Sequence, residues 1–131
     1  MDDYLEQILH LIEEKGLGYA RPVDVSKKLG ISQASVTNML QRLDAEGLVN
    51  YTKYRGTTLT EKGLTIANAI IMRHQMLTKF LRLFGLDEET IYKDVEGIEH
   101  HVSKDTLNVI TSLVAELEED PELLERIKGR I

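Results

Sequence analysis

The 131-residue sequence contains no cysteine, which excludes a disulfide framework and a metal site built from thiolates. It also lacks any apolar run near the roughly 18 residues that a membrane-spanning helix needs. Its acidic, amphipathic first residues do not resemble a secretory signal. Hydrophobic residues make up 42% and charged residues 29% of the chain, as in ordinary globular proteins. We therefore expect a cytoplasmic protein that has no membrane partner.

The charge of the chain is unevenly distributed. A net charge of −6 is unfavourable for DNA binding, because affinity for DNA depends on neutralising phosphates. Residues 20–64, however, carry seven basic and four acidic side chains, whereas residues 85–126 carry thirteen acidic and three basic ones. This polarity indicates DNA as a partner of the front segment and cations as partners of the back half.

Hydrophobic spacing and capping residues predict three short helices, a hairpin and then only helices. The first helices are expected over 2–15, 22–29 and 33–46, and β-branched segments over 49–53 and 57–60 are expected to pair around a turn. Further helices are expected at about 61–84, at 87–101, after Ser103 and after Asp120. The sequence thus predicts a mainly α protein. A winged helix-turn-helix domain over 1–63 would precede an all-helical metal-binding and dimerisation domain over 64–131.

The second and third helices carry the pattern of a DNA-binding helix-turn-helix. The apolar residues Val25, Leu29, Ile31, Val36, Leu40 and Leu43 are expected to form the core, with Gly30 in the tight turn. The small or polar residues of the third helix would then face a major groove. The DNA-binding residues predicted on this helix are Ser32, Gln33, Ala34, Ser35, Thr37, Asn38 and Gln41. At the tip of the hairpin, or wing, Lys53, Tyr54 and Arg55 suit phosphate or minor-groove contact. The alternative is a scaffold or protein-binding module with the same helices and hairpin.

Carboxylates and imidazoles recur at helical spacing on three predicted helices. Glu96, Glu99 and His100 stand at i, i+3 and i+4, Asp3 and Glu6 form a second i, i+3 pair, and His74 lies within the long helix. Brought together, four carboxylates would repel one another unless one or two divalent cations neutralised them. Taken separately, each has a simpler explanation: a solvated helix face, carboxylates favoured by a helix dipole, or a core histidine. His10 and His101 do not share the spacing and are expected to be structural or exposed.

Five stretches of the sequence resemble the diphtheria-toxin-repressor family of metal-dependent regulators. They are Asp-Tyr-Leu-Glu-Gln-Ile at residues 3–8, Ile-Glu-Glu-Lys-Gly at 12–16, the helix-turn-helix, Tyr-Thr-Lys-Tyr-Arg-Gly at 51–56, and Asp-Val-Glu-Gly-Ile-Glu-His-His at 94–101. The resemblance implies a binuclear site whose ligands are Asp3, Glu6, His74, Glu96, Glu99 and His100. The iron-responsive members have an additional C-terminal barrel and sulfur ligands where this chain has Asp3 and Glu99. The chain is therefore more similar to the manganese-responsive members, since hard oxygen ligands suit manganese.

These observations predict a manganese-activated transcriptional repressor of metal-uptake genes rather than an enzyme. It would bind two Mn²⁺ per protomer, with other divalent metals also able to bind, and act as a homodimer on a palindromic operator in double-stranded DNA. No organic small-molecule substrate is expected. The dimer surface is expected on the later helices, with an intramolecular core as the alternative role of their apolar residues Ile91, Val95, Ile98, Leu107, Ile110, Leu113 and Val114. Three other functions stay open: an iron-responsive repressor, a metal-independent winged-helix regulator, and a di-metal hydrolase.

Overall fold

The structure, a computed structural model, describes residues 2–131 except for the side chains of Asp2 and Asp3. It divides into two compact units, Met1–Ile71 and Met72–Ile131. In chain order the elements are α1 (Asp2–Lys15), α2 (Pro22–Leu29), α3 (Gln33–Ala45), β1 (Val49–Thr52), β2 (Gly56–Leu59), α4 (Glu61–Leu83), α5 (Glu88–Ile98), α6 (Lys104–Glu119) and α7 (Pro121–Lys128). These elements confirm the predicted mainly α fold with a hairpin after three helices. Within residues 2–131, no helix combines the length and the apolar character needed to cross a membrane.

The first unit has one hydrophobic core, to which α1, α2, α3 and the hairpin contribute. Val25, Val36, Leu40 and Leu43 are fully buried, and Leu29 and Ile31 pack against them, as the sequence predicts. The start of α3 is fixed by Ser32, whose side chain accepts a hydrogen bond from the backbone N–H of Ser35 at 3.1 Å. The core therefore holds the helix-turn-helix so that one face of α3 is turned outward.

β1 and β2 form an antiparallel hairpin, in the register from Val49 opposite Leu59 to Thr52 opposite Gly56. The outer edge of β2 is covered by Ala20, which exchanges two backbone hydrogen bonds with Thr57 at 2.8 and 2.9 Å. Gly56 makes this approach possible, because it has φ +92° and a Cβ there would lie 2.6 Å from the carbonyl oxygen of Ala20. The hairpin is thus a two-stranded wing anchored to the segment before α2.

In the second unit, α5 ends at Ile98, three residues earlier than predicted. The N–H of His101 bonds to the carbonyl of Ile98 at 2.9 Å, so the chain tightens into a turn. Val102, just after this turn, packs against the core of Leu77, Ile91 and Val95. Glu99 and His100 therefore lie at the end of α5 and in the following turn, not within a helix.

The apolar residues of α5 and α6 divide between the core of the protomer and its surface. Ile91, Val95 and Val114 are at most 2% exposed, which assigns them to the intramolecular core rather than to a dimer surface. Leu107 and Ile110 are half-buried. Ile98 and Leu113 are exposed, and so is Val109, which the sequence argument did not include.

Candidate metal centre and nucleic-acid interface

Three of the predicted metal ligands lie together in the second unit. His74 projects from the middle of α4, Glu96 from the last turn of α5, and Glu99 from the residue that caps α5. One potential ligand atom from each residue lies within 4.8 Å of the other two. The chain thus gathers an imidazole and two carboxylates from segments more than 20 residues apart.

Glu99 is the centre of this group. Its side chain is 11% exposed, and each of its two oxygens faces an imidazole. Oε2 lies 2.8 Å from Nδ1 of His74, and Oε1 lies 3.7 Å from Nε2 of His100. A fourth predicted ligand, His100, therefore adjoins the cluster through its contact with Glu99.

Arg73, next to His74, also contacts Glu99 and was not predicted as a residue of this site. Its guanidinium donates a long hydrogen bond of 3.4 Å to the carbonyl oxygen of Glu99. Its Nε is buried and has no hydrogen-bond partner among the described residues. Adjacency to His74 was the only signal in the sequence. The contact places a positive charge at the carboxyl end of α5, where the helix dipole favours one.

The donor set and its spacing fit a divalent cation. Imidazole nitrogen and carboxylate oxygen bind such ions at about 2.0–2.2 Å, so two ligands of one ion are at most about 4.4 Å apart. A group whose atoms lie within 4.8 Å needs only small side-chain adjustments to share an ion. Nitrogen and oxygen donors without sulfur are compatible with Mn²⁺, Fe²⁺ and Zn²⁺.

The two predicted ligands on α1 belong to the first unit. The side chain of Asp3 lies outside the described residues. Glu6 is half-buried, and its Oε1 lies 3.9 Å from Nε2 of His10, one helical turn further on. Asp3 and Glu6 stay predictions as metal ligands. His101, which was expected to be structural or exposed, is exposed.

The outward face of α3 offers the polar side chains that the sequence predicts for DNA contact. Ser32, Gln33, Ala34, Ser35, Asn38 and Gln41 are exposed, and Thr37 is half-buried. Three hydroxyls are already engaged: Ser32 caps the helix and donates to the hydroxyl of Ser35 at 3.0 Å, and Thr37 donates to the carbonyl of Gln33 at 3.1 Å. The amides of Gln33, Asn38 and Gln41 are the groups on this face best suited to read base edges.

The wing extends the same surface. Tyr54 is 90% exposed at the tip, and Nζ of Lys53 lies 5.6 Å from the centre of its ring. A groove of about 400 Å³ runs between α3 and the wing and is lined by Pro22, Gln33, Thr37, Gln41, Tyr51, Lys53 and Tyr54. Pro22 and Tyr51 were not among the predicted interface residues. Both contribute to the groove because the fold places the start of α2 and strand β1 beside α3.

Comparisons with known proteins assign both parts of the chain to one family of regulators. Residues 1–57 match the family model for the iron-dependent repressor N-terminal DNA-binding domain. Residues 60–128 match the model for the iron-dependent repressor metal-binding and dimerisation domain.

Curated relatives match over most of their length. The HTH-type transcriptional regulator MntR of Bacillus subtilis (strain 168) is 51% identical over 92% of this chain and 83% of its own. The MntR of Lysinibacillus sphaericus (strain C3-41) is 46% identical over 98% of this chain and 91% of its own. Among solved structures, that of the manganese regulator SloR is 26% identical, with a TM-score of 0.69 over 87% of this chain. This chain spans 53% of the SloR chain, about half its length.

Proposed function

The chain belongs to the iron-dependent repressor family of metal-dependent DNA-binding transcriptional regulators, and we propose that manganese is the metal to which it responds. The observation that carries the proposal is the cluster of His74, Glu96 and Glu99, whose donors are nitrogen and oxygen. The carboxylate oxygens are hard donors, which suit Mn²⁺. The manganese regulator SloR and the MntR relatives support the same assignment.

We propose that Asp3, Glu6 and His100 complete the ligand set and that each protomer binds two ions. One octahedral Mn²⁺ takes six donor atoms, whereas four carboxylates with two oxygens each and two imidazoles could offer about ten, so carboxylates shared between two ions would use the whole set. Bound divalent cations would supply the positive charge that offsets the repulsion among the four carboxylates. Asp3 and Glu6 belong to α1, which packs in the same core as α3. Ligands drawn from both units would therefore restrict the first unit relative to the second when the site is loaded.

That restriction gives a physical basis for activation of DNA binding. A homodimer reads a palindromic operator through two recognition helices, here α3 of each protomer, whose half-sites lie about 34–36 Å apart. If the units of each protomer move freely, ordering them on DNA costs entropy. If metal ligands held α1 in place, the units would already be ordered before DNA binds, and this entropy cost would be smaller. We further propose that the protein acts in the cytoplasm and that it controls metal-uptake genes.

We assign the DNA contacts to the exposed face of α3 and to the wing residues Lys53, Tyr54 and Arg55. We place the boundary of the DNA-binding domain at residues 63/64, inside α4. The dimer contact is assigned to the exposed apolar positions Ile98, Val109 and Leu113.

The test is fluorescence anisotropy of a labelled promoter fragment, taken from upstream of a metal-uptake gene, after the protein has been treated with a chelator. Mn²⁺, Fe²⁺ under anaerobic conditions, and Zn²⁺ are then titrated separately. Tight binding with Mn²⁺ that is lost in Glu99→Ala and kept in Glu89→Ala supports the proposal, since Glu89 is an exposed carboxylate on α5, the helix that Glu99 caps. Activation by Fe²⁺ alone would assign an iron-responsive repressor. Binding that ignores both the chelator and Glu99→Ala would contradict metal regulation.

A further inference from the structure

One carboxylate joins the recognition helix α3 to the wing. Asp44 lies in the last turn of α3, and its Oδ2 accepts a hydrogen bond from the backbone N–H of Tyr51 in β1 at 2.8 Å. An acidic side chain is unfavourable at this end of a helix, because the carboxyl end carries a partial negative charge. It is also unfavourable beside a surface that meets phosphates. The hydrogen bond from Tyr51 gives Asp44 a structural role, although its negative charge is unfavourable at this position.

The N–H of Tyr51, which donates to Asp44, takes no part in the hydrogen bonds between β1 and β2. Tyr51 stands opposite Thr57, and the N–H and C=O of Thr57 both bond to Ala20 on the outer edge of β2. The pair of Tyr51 and Thr57 is therefore a non-hydrogen-bonded pair of the ladder, and the N–H of Tyr51 points away from β2. Asp44 accepts a hydrogen bond from this N–H at the free edge of β1.

The wing is consequently held from both sides at a single rung. Ala20 binds the β2 side of the rung through two backbone bonds, and Asp44 binds the β1 side through its carboxylate. Lys53 and Arg55 lie two to four residues beyond the rung, at the tip. The rung thus helps to set the direction of the tip relative to α3, and Asp44 is the α3 side chain that bonds to it.

We propose that Asp44 is a positioning residue for DNA binding: it sets the wing against the recognition helix so that the helix and the tip engage DNA together. It does so as a hydrogen-bond acceptor and not through its charge. This inference rests on the proposed DNA-binding surface of α3 and the wing, and it adds a residue that was not among the expected contacts.

The test compares Asp44→Ala, Asp44→Asn and Glu46→Ala by anisotropy with Mn²⁺-loaded protein at several salt concentrations. Asp44→Asn keeps an acceptor oxygen without the charge, and Glu46→Ala removes an exposed negative charge two residues away. We expect Asp44→Ala to lower affinity by about tenfold and to reduce the salt-dependence slope by about two per protomer, as the phosphate contacts of Lys53 and Arg55 are lost. Asp44→Asn is expected to keep the wild-type slope and nearly the wild-type affinity, and Glu46→Ala to leave the slope unchanged.

Other outcomes overturn the inference. An unchanged slope in Asp44→Ala would show that the wing does not depend on Asp44. Higher affinity in both Asp44 variants would show that the residue acts only by repelling DNA. Should Asp44→Ala fail to fold, amide hydrogen exchange of the wild-type protein decides: the N–H of Tyr51 must be protected although it lies at a strand edge, and rapid exchange overturns the inference. If the wild-type protein binds no DNA with any metal, the proposed function fails, while the exchange measurement still tests the link from Asp44 to Tyr51.

Discussion

Nδ1 of His74 lies 2.8 Å from Oε2 of Glu99, across 25 residues of sequence. An ionised carboxylate only accepts hydrogen bonds, so in this contact Nδ1 would donate and Nε2 would be the ring nitrogen available to a metal ion. The pair therefore fixes the orientation of the imidazole. A carboxylate in this position is the usual partner of a metal-binding histidine. Glu99 also presents its second oxygen towards His100, so it can orient His74 and contribute a ligand atom of its own.

Glu99→Gln separates these two contributions. The amide oxygen can still accept the Nδ1–H bond, so we expect the metal-free protein to keep its thermal stability. Loss of the negative charge is expected to weaken Mn²⁺ binding by about tenfold or more. Isothermal titration calorimetry with MnCl₂ measures this loss. The matched control is Glu89→Gln on α5, where the carboxylate forms only an exposed ion pair with Lys93 at 3.1 Å. Equal Mn²⁺ affinity in both variants would show that Glu99 does not contribute to metal binding.

The ion pair of Asp24 and Arg21 predicts a pH dependence of folding. Nε of Arg21 lies 2.8 Å from Oδ2 of Asp24, and this hydrogen bond lowers the pKa of the Asp24 carboxyl below its ordinary value. Its stabilising contribution is therefore complete above the unfolded pKa of about 3.9 and is lost as the pH falls through the folded pKa. We expect Asp24→Asn to flatten the fall in unfolding free energy below about pH 5.

Urea unfolding of the wild type, Asp24→Asn, Arg21→Gln and the double variant between pH 3 and 7 measures this effect. Both single variants should flatten the profile by the same amount, and combining them should add little further change. A profile in Asp24→Asn that parallels the wild type at low pH would show that another carboxylate causes the acid sensitivity.

Substitution by alanine is expected to have opposite effects on stability at Gly63 and at Gly97, which both lie within helices. A Cβ at Gly63 would collide with the backbone carbonyl of Leu48, whereas at Gly97 it would meet nothing within 4 Å. We expect Gly63→Ala to destabilise the fold by about 2–3 kcal/mol, because backbone atoms must move to admit it. Gly97→Ala should stabilise the protein by about 0.4–1 kcal/mol, because it restricts the unfolded chain. Chemical denaturation of the metal-free protein checks both signs, and a neutral Gly63→Ala would show that α4 does not lie so close to Leu48.

The exposed apolar face of α6 predicts where the dimer can be broken. Val109 is 67% and Leu113 44% exposed, and they lie one helical turn apart. Val109→Glu or Leu113→Glu should raise the dissociation constant of the dimer by about a hundredfold or more, because an unpaired charge would be buried in the contact. Analytical ultracentrifugation measures the constant. The control Thr111→Glu carries the same charge on the opposite, exposed face of α6 and should leave it unchanged. Dimers that persist in both apolar-face variants would place the interface elsewhere.

Local signals in the sequence were enough for most of the fold. α1 and α2 begin and end at the predicted residues, and α3 and α4 do so within about one residue. Caps such as Ser32, and glycines such as Gly30 with φ +67°, act on neighbouring backbone groups. Their effect can therefore be predicted without knowing what packs against them. The same holds for the buried face of α3, since helical periodicity separates Val36, Leu40 and Leu43 from their polar neighbours.

The sequence also supplied the chemistry of the metal centre, because residue types determine which donors are available. Only the tertiary structure decided how those donors meet. α5 ends before Glu99, Val102 packs into the core just after the turn, and Glu99 at the C-cap of α5 contacts His74 of α4. The link between Asp44 and Tyr51 could not be predicted for the same reason. Capping and periodicity act over a few residues, whereas a contact across many residues depends on how whole elements pack.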